Sequence, residues 1–434
     1  MRRALNLLSV SLSVSFLLAS LTLSGCGGSE SSSGRDDEGP AENELRSDKL
    51  RASSPVVSSE DAATFATDNL AFSVDMHLAL RSREPGNFVF SQTSISTALA
   101  MLYAGAATTT ADQMADALHF SLPAPRLHAA FNALDLALTT SPPGTSSAAF
   151  RLEVANSIWV QDGLTILPTY LDTLAENYGA GLFEEDFATA PDPAREAIND
   201  WVADRTENQI PTLFPQGTIN TLTRLVLANA VFFHGDWKVP FRKDSRDEIF
   251  HALSGDVSVP TMHGNYNAGL WSGPGWNAAA LDYVGGTASM IIVVPDAGTF
   301  ASFESALTVE SLRAIFAGTR PSGSADLIMP RFKFATDIGL NEILSGLGMP
   351  EAFTDRADFS RINGARDLRV QSVIHKAIIA VDEKGTTASA ATGVAVGLTS
   401  APPTLRVDRP FLFFVRHNST GAILFQGRVV DPSE

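Results

Sequence analysis

The hydrophobic positions change period part-way along the chain. Phe65, Phe72, Met76 and Ala79 are separated by steps that keep one face of a helix apolar, and Ile95, Leu99 and Leu102 repeat the pattern. Thr110-x-x-Gln113 has the form of a capping box opening "ADQMADAL". A further helical stretch is expected to begin at Asn199-Asp200-Trp201-Val202. The runs at 225–233 ("LVLANAVFF"), 289–294 and 370–381 are instead rich in β-branched and aromatic residues and predict strands. Near the end, "FLFFVR" and "AILFQGRVV" flank "HNSTG", which predicts a hairpin with Asn418-Ser419-Thr420 in its turn. Helices gather early and strands late, without regular βαβ alternation, so the fold class is α+β.

The N-terminus departs from this pattern. "MRRALNLLSVSLSVSFLLASLTLSGC" has a basic start, an apolar run and small residues before a cysteine, the layout of a signal peptide. Leu23-Ser24-Gly25-Cys26 further looks like a bacterial lipobox, which gives residues 1–25 as a lipoprotein signal peptide and Cys26 as the lipidated first residue. A plain signal peptide or an uncleaved anchor helix is the alternative. Residues 26–60, mostly Ser, Gly and acidic residues, bury too little surface to order themselves and are expected to be a flexible tether. The expected location is the bacterial cell envelope, lipid-anchored at the outer membrane or cell surface. From residue 61 to 434 there is no second linker and no repeat, so one large domain is expected.

Charge and composition narrow the function. The net charge is −17, with no basic run to relieve it, so nucleic acid is a poor partner. Cys26 is the only cysteine, which removes intramolecular disulfides, thiol catalysis and zinc–thiolate clusters. No P-loop, dinucleotide fingerprint, zincin helix or nucleophile elbow occurs, and the eight histidines are scattered. No metal, cofactor or catalytic residue is assigned, and the chain reads as a non-enzyme.

One stretch remains unexplained by an ordinary core or surface. "DEKGTTASAATGVAVGLTSAPP", residues 382–403, is long, small-residue and nearly uncharged. Alternate residues of a strand face opposite ways. Thr386, Ala388, Ala390, Thr392, Val394 and Val396 form one set, and Thr387, Ser389, Ala391, Gly393, Ala395 and Gly397 the other. Such a segment could join an existing sheet with one face buried and nothing bulky to obstruct it. Gly385 can serve as a hinge and Pro402-Pro403 as a stiff stop.

At this point the chain resembles a serpin. "VIHKAIIAVDEKGTTASAAT" looks like the strand and hinge that lead into the family's reactive-centre loop, and "DRPFLFFV" with "LFQGRVVDP" like its C-terminal signature. "NFVFSQTSISTALAMLYAGA", "NDWVADRTENQI", "LANAVFFHGDWKVPF" and "MPRFKF" supply four more segments in the family's order. The resemblance implies several helices, three β-sheets and an exposed reactive-centre loop. It further implies a suicide-substrate inhibitor: a serine protease attacks the loop, forms a covalent acyl complex, and is trapped as the cut loop inserts into the main sheet.

Residue by residue, the resemblance gives Glu383, Gly385, Thr386, Ala388, Ala390 and Thr392 as the hinge. Counted from Gly385, the scissile bond falls at Thr399–Ser400, with Leu398 and Val396 as further specificity determinants. A small β-branched residue there suits elastase-like or subtilisin-like enzymes, whereas a slip to Leu398 suits chymotrypsin-like ones. Ser91, Ser94, Asn229 and His375 correspond to the cluster beneath the opening sheet, Trp237 to the point where insertion begins, and Arg331 to the partner of Glu383. Gln92 stands where the family often has proline, with little consequence expected. Gly393 stands where alanine is usual, at a cost of about 0.5–1 kcal/mol in a regular element. The expected partners are a serine protease and, through the lipid, the membrane, with the chain itself a monomer. The alternative keeps the fold without inhibition: a binding or structural serpin, or a plain protease substrate.

Overall fold

The helical spacing that opens the domain becomes α1 (Ser59–Arg81). Ser58 caps it, its hydroxyl accepting from the Asp61 amide at 3.0 Å, and acidic residues in the first turn with Arg81 in the last complement the helix dipole. Phe65, Phe72, Met76 and Leu80 enter the main core, with Ala79 half-buried at its margin. The computed structural model describes residues 43–139, 150–266, 269–318, 325–386 and 403–434. Further helices are α2 (Gln92–Tyr103), α3 (Thr108–Ala117), α4 (Ala124–Thr139), α5 (Pro168–Tyr178) and α6 (Pro191–Arg205), with shorter ones later.

Two helix starts differ from expectation. Thr110 lies inside α3 rather than capping it; its hydroxyl accepts from the Asp358 amide at 2.9 Å. The Gln113 side-chain oxygen accepts from the Glu351 amide at 3.0 Å, so both residues stitch α3 to a distant segment. α6 begins at Pro191, where the missing N–H costs nothing in a first turn. Asn199 is therefore mid-helix, and its side-chain oxygen accepts from the Leu213 and Phe214 amides, each at 2.8 Å. Gln92 is buried and its amide donates to Asn69 at 2.7 Å and Ser96 at 2.9 Å, a more specific role than a neutral replacement for proline.

Three sheets carry the strands, giving the mixed α+β architecture that the sequence implies. Sheet A runs β1 (Glu44–Leu45), β4 (Leu182–Glu185), β3 (Phe150–Gln161), β5 (Leu225–Asp236), β14 (Gly385–Thr386), β13 (Ser372–Val381) and β12 (Phe332–Gly339). Sheet B runs β2 (Phe88–Phe90), β17 (Ile423–Val429), β16 (Phe411–His417), β10 (Ala288–Pro295), β9 (Trp276–Asp282) and β8 (Leu270–Gly273). Sheet C runs β15 (Thr404–Arg406), β11 (Ala325–Pro330), β7 (Gly255–Tyr266) and β6 (Arg246–Ala252). The expected hairpin is β16–β17, in register from Phe411↔Val429.

β5 explains its own unbroken apolar run. Every residue from Leu225 to Gly235 is buried, because sheet A is covered on both faces. Val226, Ala228 and Ala230 pack with Ile198 and Val202 of α6. On the other face Leu225 and Leu227 join the main core, and Val231 and Phe233 join the core shared with sheets B and C.

The boundary between tether and domain also shifts. From Asn43 the chain lies on the body: Glu44 and Leu45 pair with Phe183 and Leu182. Arg51 reaches Asp135 at 2.6 Å and Asn132 at 2.9 Å, and the Ala52 amide donates to the Glu176 carbonyl at 2.9 Å. The tether expected over 26–60 is therefore a bound strap from residue 43, its backbone groups satisfied by β4 and α5. Cys26 and the rest of residues 1–42 lie outside the described residues.

Candidate functional site

β5 and β13 run parallel and pair directly from Val226 and Ser372 to Phe232 and Ile378. Past that point they part, and β14 sits between them, antiparallel to both. Gly385 faces Asp236 and Thr386 faces Gly235 on one side, with Val381 opposite Thr386 on the other. The chain turns back into this slot through Asp382, whose carboxylate accepts from the Lys384 amide at 2.8 Å and the Gly385 amide at 3.2 Å. A Cβ on Gly385 would lie 2.2 Å from the Gly235 carbonyl oxygen and 2.7 Å from the Asp236 Cα. Both are backbone atoms, so the slot admits only glycine there. Thr386 is fully buried, its hydroxyl 3.0 Å from that of Tyr283.

Trp237 forms the wall of this mouth. Its indole donates to the Asp382 carbonyl at 2.9 Å, its amide donates to the Lys384 carbonyl at 2.8 Å, and its ring stacks on Tyr283 at 4.6 Å. Arg331 Nε donates to Glu383 Oε1 at 2.8 Å, and the Ser245 hydroxyl donates to the same oxygen. Burial pushes the Glu383 carboxyl up, but these two donors outweigh it and hold the group below its ordinary value. The Phe241 amide donates to the Glu383 carbonyl at 2.8 Å, so the hinge is tied by backbone as well as charge.

Further along the β5–β13 seam, His375 lies directly opposite Asn229. His375 Nδ1 donates to the Asn229 side-chain oxygen, and its Nε2 accepts from the Ser91 amide at 3.1 Å. The Asn229 amide donates to the Ser94 hydroxyl at 2.7 Å, which in turn donates to the Asn156 side-chain oxygen at 3.0 Å. Ser91 closes the group by capping α2, its hydroxyl accepting from the Ser94 amide at 3.2 Å. Both ring nitrogens are satisfied only by neutral imidazole, since a proton on Nε2 would face the Ser91 N–H. Burial without a counter-charge pushes His375 down to about 3. The cluster thus joins α2, β3, β5 and β13 without a single formal charge.

Ser91, Ser94, Asn229 and His375 form one network, and Trp237, Arg331, Glu383, Gly385 and Thr386 form the mouth near the end of the same seam. Ala388, Ala390, Thr392, Val396, Leu398, Thr399 and Ser400 lie outside the described residues. The chain is described again from Pro403, whose carbonyl accepts from the Asp326 amide at 2.9 Å, and β15 then pairs with β11 of sheet C. Among the described residues no group of acidic, histidine or cysteine side chains could hold a metal. Sequence reasoning missed Asn156, Ser245, Asp382 and Tyr283. Asn156-Ser157 in "EVANSIWV" did carry a signal, a polar pair inside a strand run; Tyr283, beyond a strand end before Gly285-Gly286, carried none.

Comparison with known proteins agrees with this geometry. The family model described as "Serpin (serine protease inhibitor)" matches residues 67–432. The leukocyte elastase inhibitor of Bos taurus is 35% identical over 381 residues, covering 84% of this chain and 98% of that protein. A serpin-like protein of Thermococcus kodakarensis is also 35% identical, over 370 residues, covering 84% of this chain and 85% of that one. Among solved structures, the thermophilic serpin tengpin in its native state superposes with a TM-score of 0.78 at 25% identity, covering 89% of this chain and 97% of that chain.

Proposed function

The chain belongs to the serpin family of serine protease inhibitors, and we propose that it traps elastase-like or subtilisin-like proteases by letting its cut reactive loop enter sheet A. The observation that carries this reading is β14, two residues already lodged between β5 and β13. Continuing that register would set Ala388 between Phe233 and Ile379, Ala390 between Val231 and Ala377, and Thr392 between Asn229 and His375. The β5 and β13 ladders lead independently to the same Asn229–His375 pair that now meets across the seam. Thr386 fixes the face: it is buried, so Ala388, Ala390 and Thr392 would point inward with it. All are small enough to pass between packed strands, and the Thr392 hydroxyl would arrive where the His375–Asn229 bond has to part.

The target class rests on the expected Thr399–Ser400 bond and on relatives named as leukocyte elastase inhibitors. A small β-branched residue suits a shallow apolar primary pocket, with Leu398 and Val396 lining the approach. Acyl transfer to the protease serine would leave a new C-terminus at Thr399 esterified to the enzyme and free the amine of Ser400. Insertion then draws the enzyme along before water completes hydrolysis. The reading includes export and lipid anchoring through Cys26, with a monomeric inhibitory body held at the envelope.

Incubating the chain from residue 43 with pancreatic elastase and with subtilisin, followed by denaturing gels, tests it. A band at the summed mass less the C-terminal peptide, with that released peptide beginning at Ser400, is expected. Clean loop cleavage with fully active protease would overturn inhibition, and a peptide beginning at Thr399 would move the determinant to Leu398.

A further inference from the structure

We propose that Tyr283 is a positioning residue for loop insertion, its hydroxyl seating Thr386 in the mouth between β5 and β13 so that the incoming strand starts in register. The inference rests on the reading that the cut loop enters sheet A. Tyr283 is not part of that sheet. It follows β9 of sheet B and meets sheet A through a bridge to Trp237, so the contact ties the hinge to a second layer of the molecule. Its ring is held from three directions. It stacks on Trp237 at 4.6 Å with an interplanar angle of 16°, meets Phe233 edge-on at 5.0 Å, and leaves no room beside Gly235, where a Cβ would fall 2.6 Å from the ring. Its amide is fixed by a hydrogen bond to the Ala288 carbonyl at 3.1 Å.

A ring held this way cannot follow Thr386 out of the slot. Tyr283 is fully buried, and among the described residues its hydroxyl meets that of Thr386 at 3.0 Å. If the hinge left, a buried O–H would lose that partner, which favours the seated hinge over an empty mouth. Trp237 holds the hinge backbone through the Asp382 and Lys384 carbonyls, while Tyr283 holds the first side chain that follows. Once the loop is cut, insertion competes with hydrolysis of the acyl-enzyme. A residue already paired with Gly235 and Val381 spares the slow first step of opening the strands.

Four variants test this: Tyr283→Phe, Thr386→Val, Thr386→Ser, and the double variant Tyr283→Phe/Thr386→Val. Two quantities are read: the moles of inhibitor consumed per mole of elastase inactivated, and the stopped-flow rate of the tryptophan fluorescence change that follows loop cleavage. Tyr283→Phe and Thr386→Val are each expected to raise the first and slow the second by about two- to tenfold, the worth of one net hydrogen bond. The double variant should be no worse than either single one, and Thr386→Ser, which keeps the hydroxyl, should match the parent. An unchanged Tyr283→Phe chain, or single effects that multiply in the double variant, overturns the assignment. If the parent forms no stable protease complex, the inhibitor reading fails alone and the fluorescence rate still decides the role of Tyr283. A parent that is cut without any fluorescence change or gain in heat resistance sinks both.

Discussion

His375 and His77 are both wholly out of solvent, yet they are held in opposite ways. His375 is hydrogen-bonded to neutral groups, the Ser91 amide and the Asn229 side chain. His77 Nε2 lies 3.0 Å from Glu304 Oε1, and the same carboxylate takes both its oxygens to Arg428 Nη1, at 3.0 and 2.8 Å, and one to Arg81 at 3.3 Å. Gln426 completes that knot with its amide 3.0 Å from His77 Nδ1. The neutral cluster joins strands that must separate if the loop is to insert. The ionic knot joins α1, β17 and the short helix Phe300–Ser305, which the insertion route does not cross. A buried charge stripped of its partner is costly, whereas a neutral amide parted from imidazole can be met by an arriving hydroxyl. On the proposed insertion route, then, neutral hydrogen bonds span the buried part of the seam that would open, and the buried charges lie off it.

The largest effect expected from this contrast is at Glu304. Glu304→Ala leaves Arg428 buried without its counter-charge and His77 Nε2 without its acceptor, and should cost about 3–5 kcal/mol. Urea unfolding of the uncut chain measures the loss, and the loop-cleaved chain should be weakened by a similar amount. A loss confined to one form would mean that the knot, too, takes part in the rearrangement.

The neutral cluster should behave asymmetrically. Asn229→Ala leaves His375 Nδ1 without its acceptor and the Ser94 hydroxyl without the amide that donates to it, for about 1–3 kcal/mol in the uncut chain. Thr392→Val should leave the uncut chain untouched and weaken only the loop-cleaved form, by a comparable amount. Equal effects of Thr392→Val on both forms would place that residue elsewhere and remove the register argument.

Acid should loosen the seam next. The folded value of His375, about 3, lies below that of an unfolded histidine, so the unfolded chain takes up the proton first. Its contribution is therefore complete above about pH 6.5 and declines as pH falls toward 3, by about 1.4 kcal/mol per unit. At pH 5.5 the uncut chain should have lost about 1.4 kcal/mol through this group. His77 is also lowered, by burial, while His119 is raised by its hydrogen bond to Asp75. The share of His375 is thus the difference in pH slope between the parent and His375→Gln. Identical slopes would mean that His375 takes up its proton as readily in the folded chain as in the unfolded one.

Much of this geometry was legible in the residues, and what was not has a physical cause. β5 and β13 announced themselves by composition, and Gly385 with the small alternating residues after it pointed to strand entry. The Asn229–His375 contact spans 146 positions in sequence, so it came only through family resemblance; spacing cannot show it. The strap from residue 43 was missed because its composition is that of a linker; it is held by backbone hydrogen bonds and ion pairs that composition does not encode. Thr110-x-x-Gln113 misled for a related reason. A capping motif is a local signal, and distant backbone amides at Glu351 and Asp358 competed successfully for its side chains.

The smallest effect expected is at the ion pair on the rim of the β5–β13 seam. Arg331 and Glu383 are charged, but they stand at the rim, with the Arg331 side chain 47% exposed and Glu383 at 11%. Water solvates the guanidinium, so the pair gives little net energy and its parting costs little. A double-mutant cycle with Arg331→Met and Glu383→Gln should give a coupling below about 1 kcal/mol in the uncut chain, fading further in molar salt. Ser245 still donates to the carboxylate when Arg331 is gone, which limits the loss at Glu383. A salt-insensitive coupling several times larger would mean that charge, not neutral hydrogen bonding, holds the mouth closed. In that case removing Arg331 should speed loop entry, whereas a weak pair predicts an unchanged fluorescence rate after cleavage.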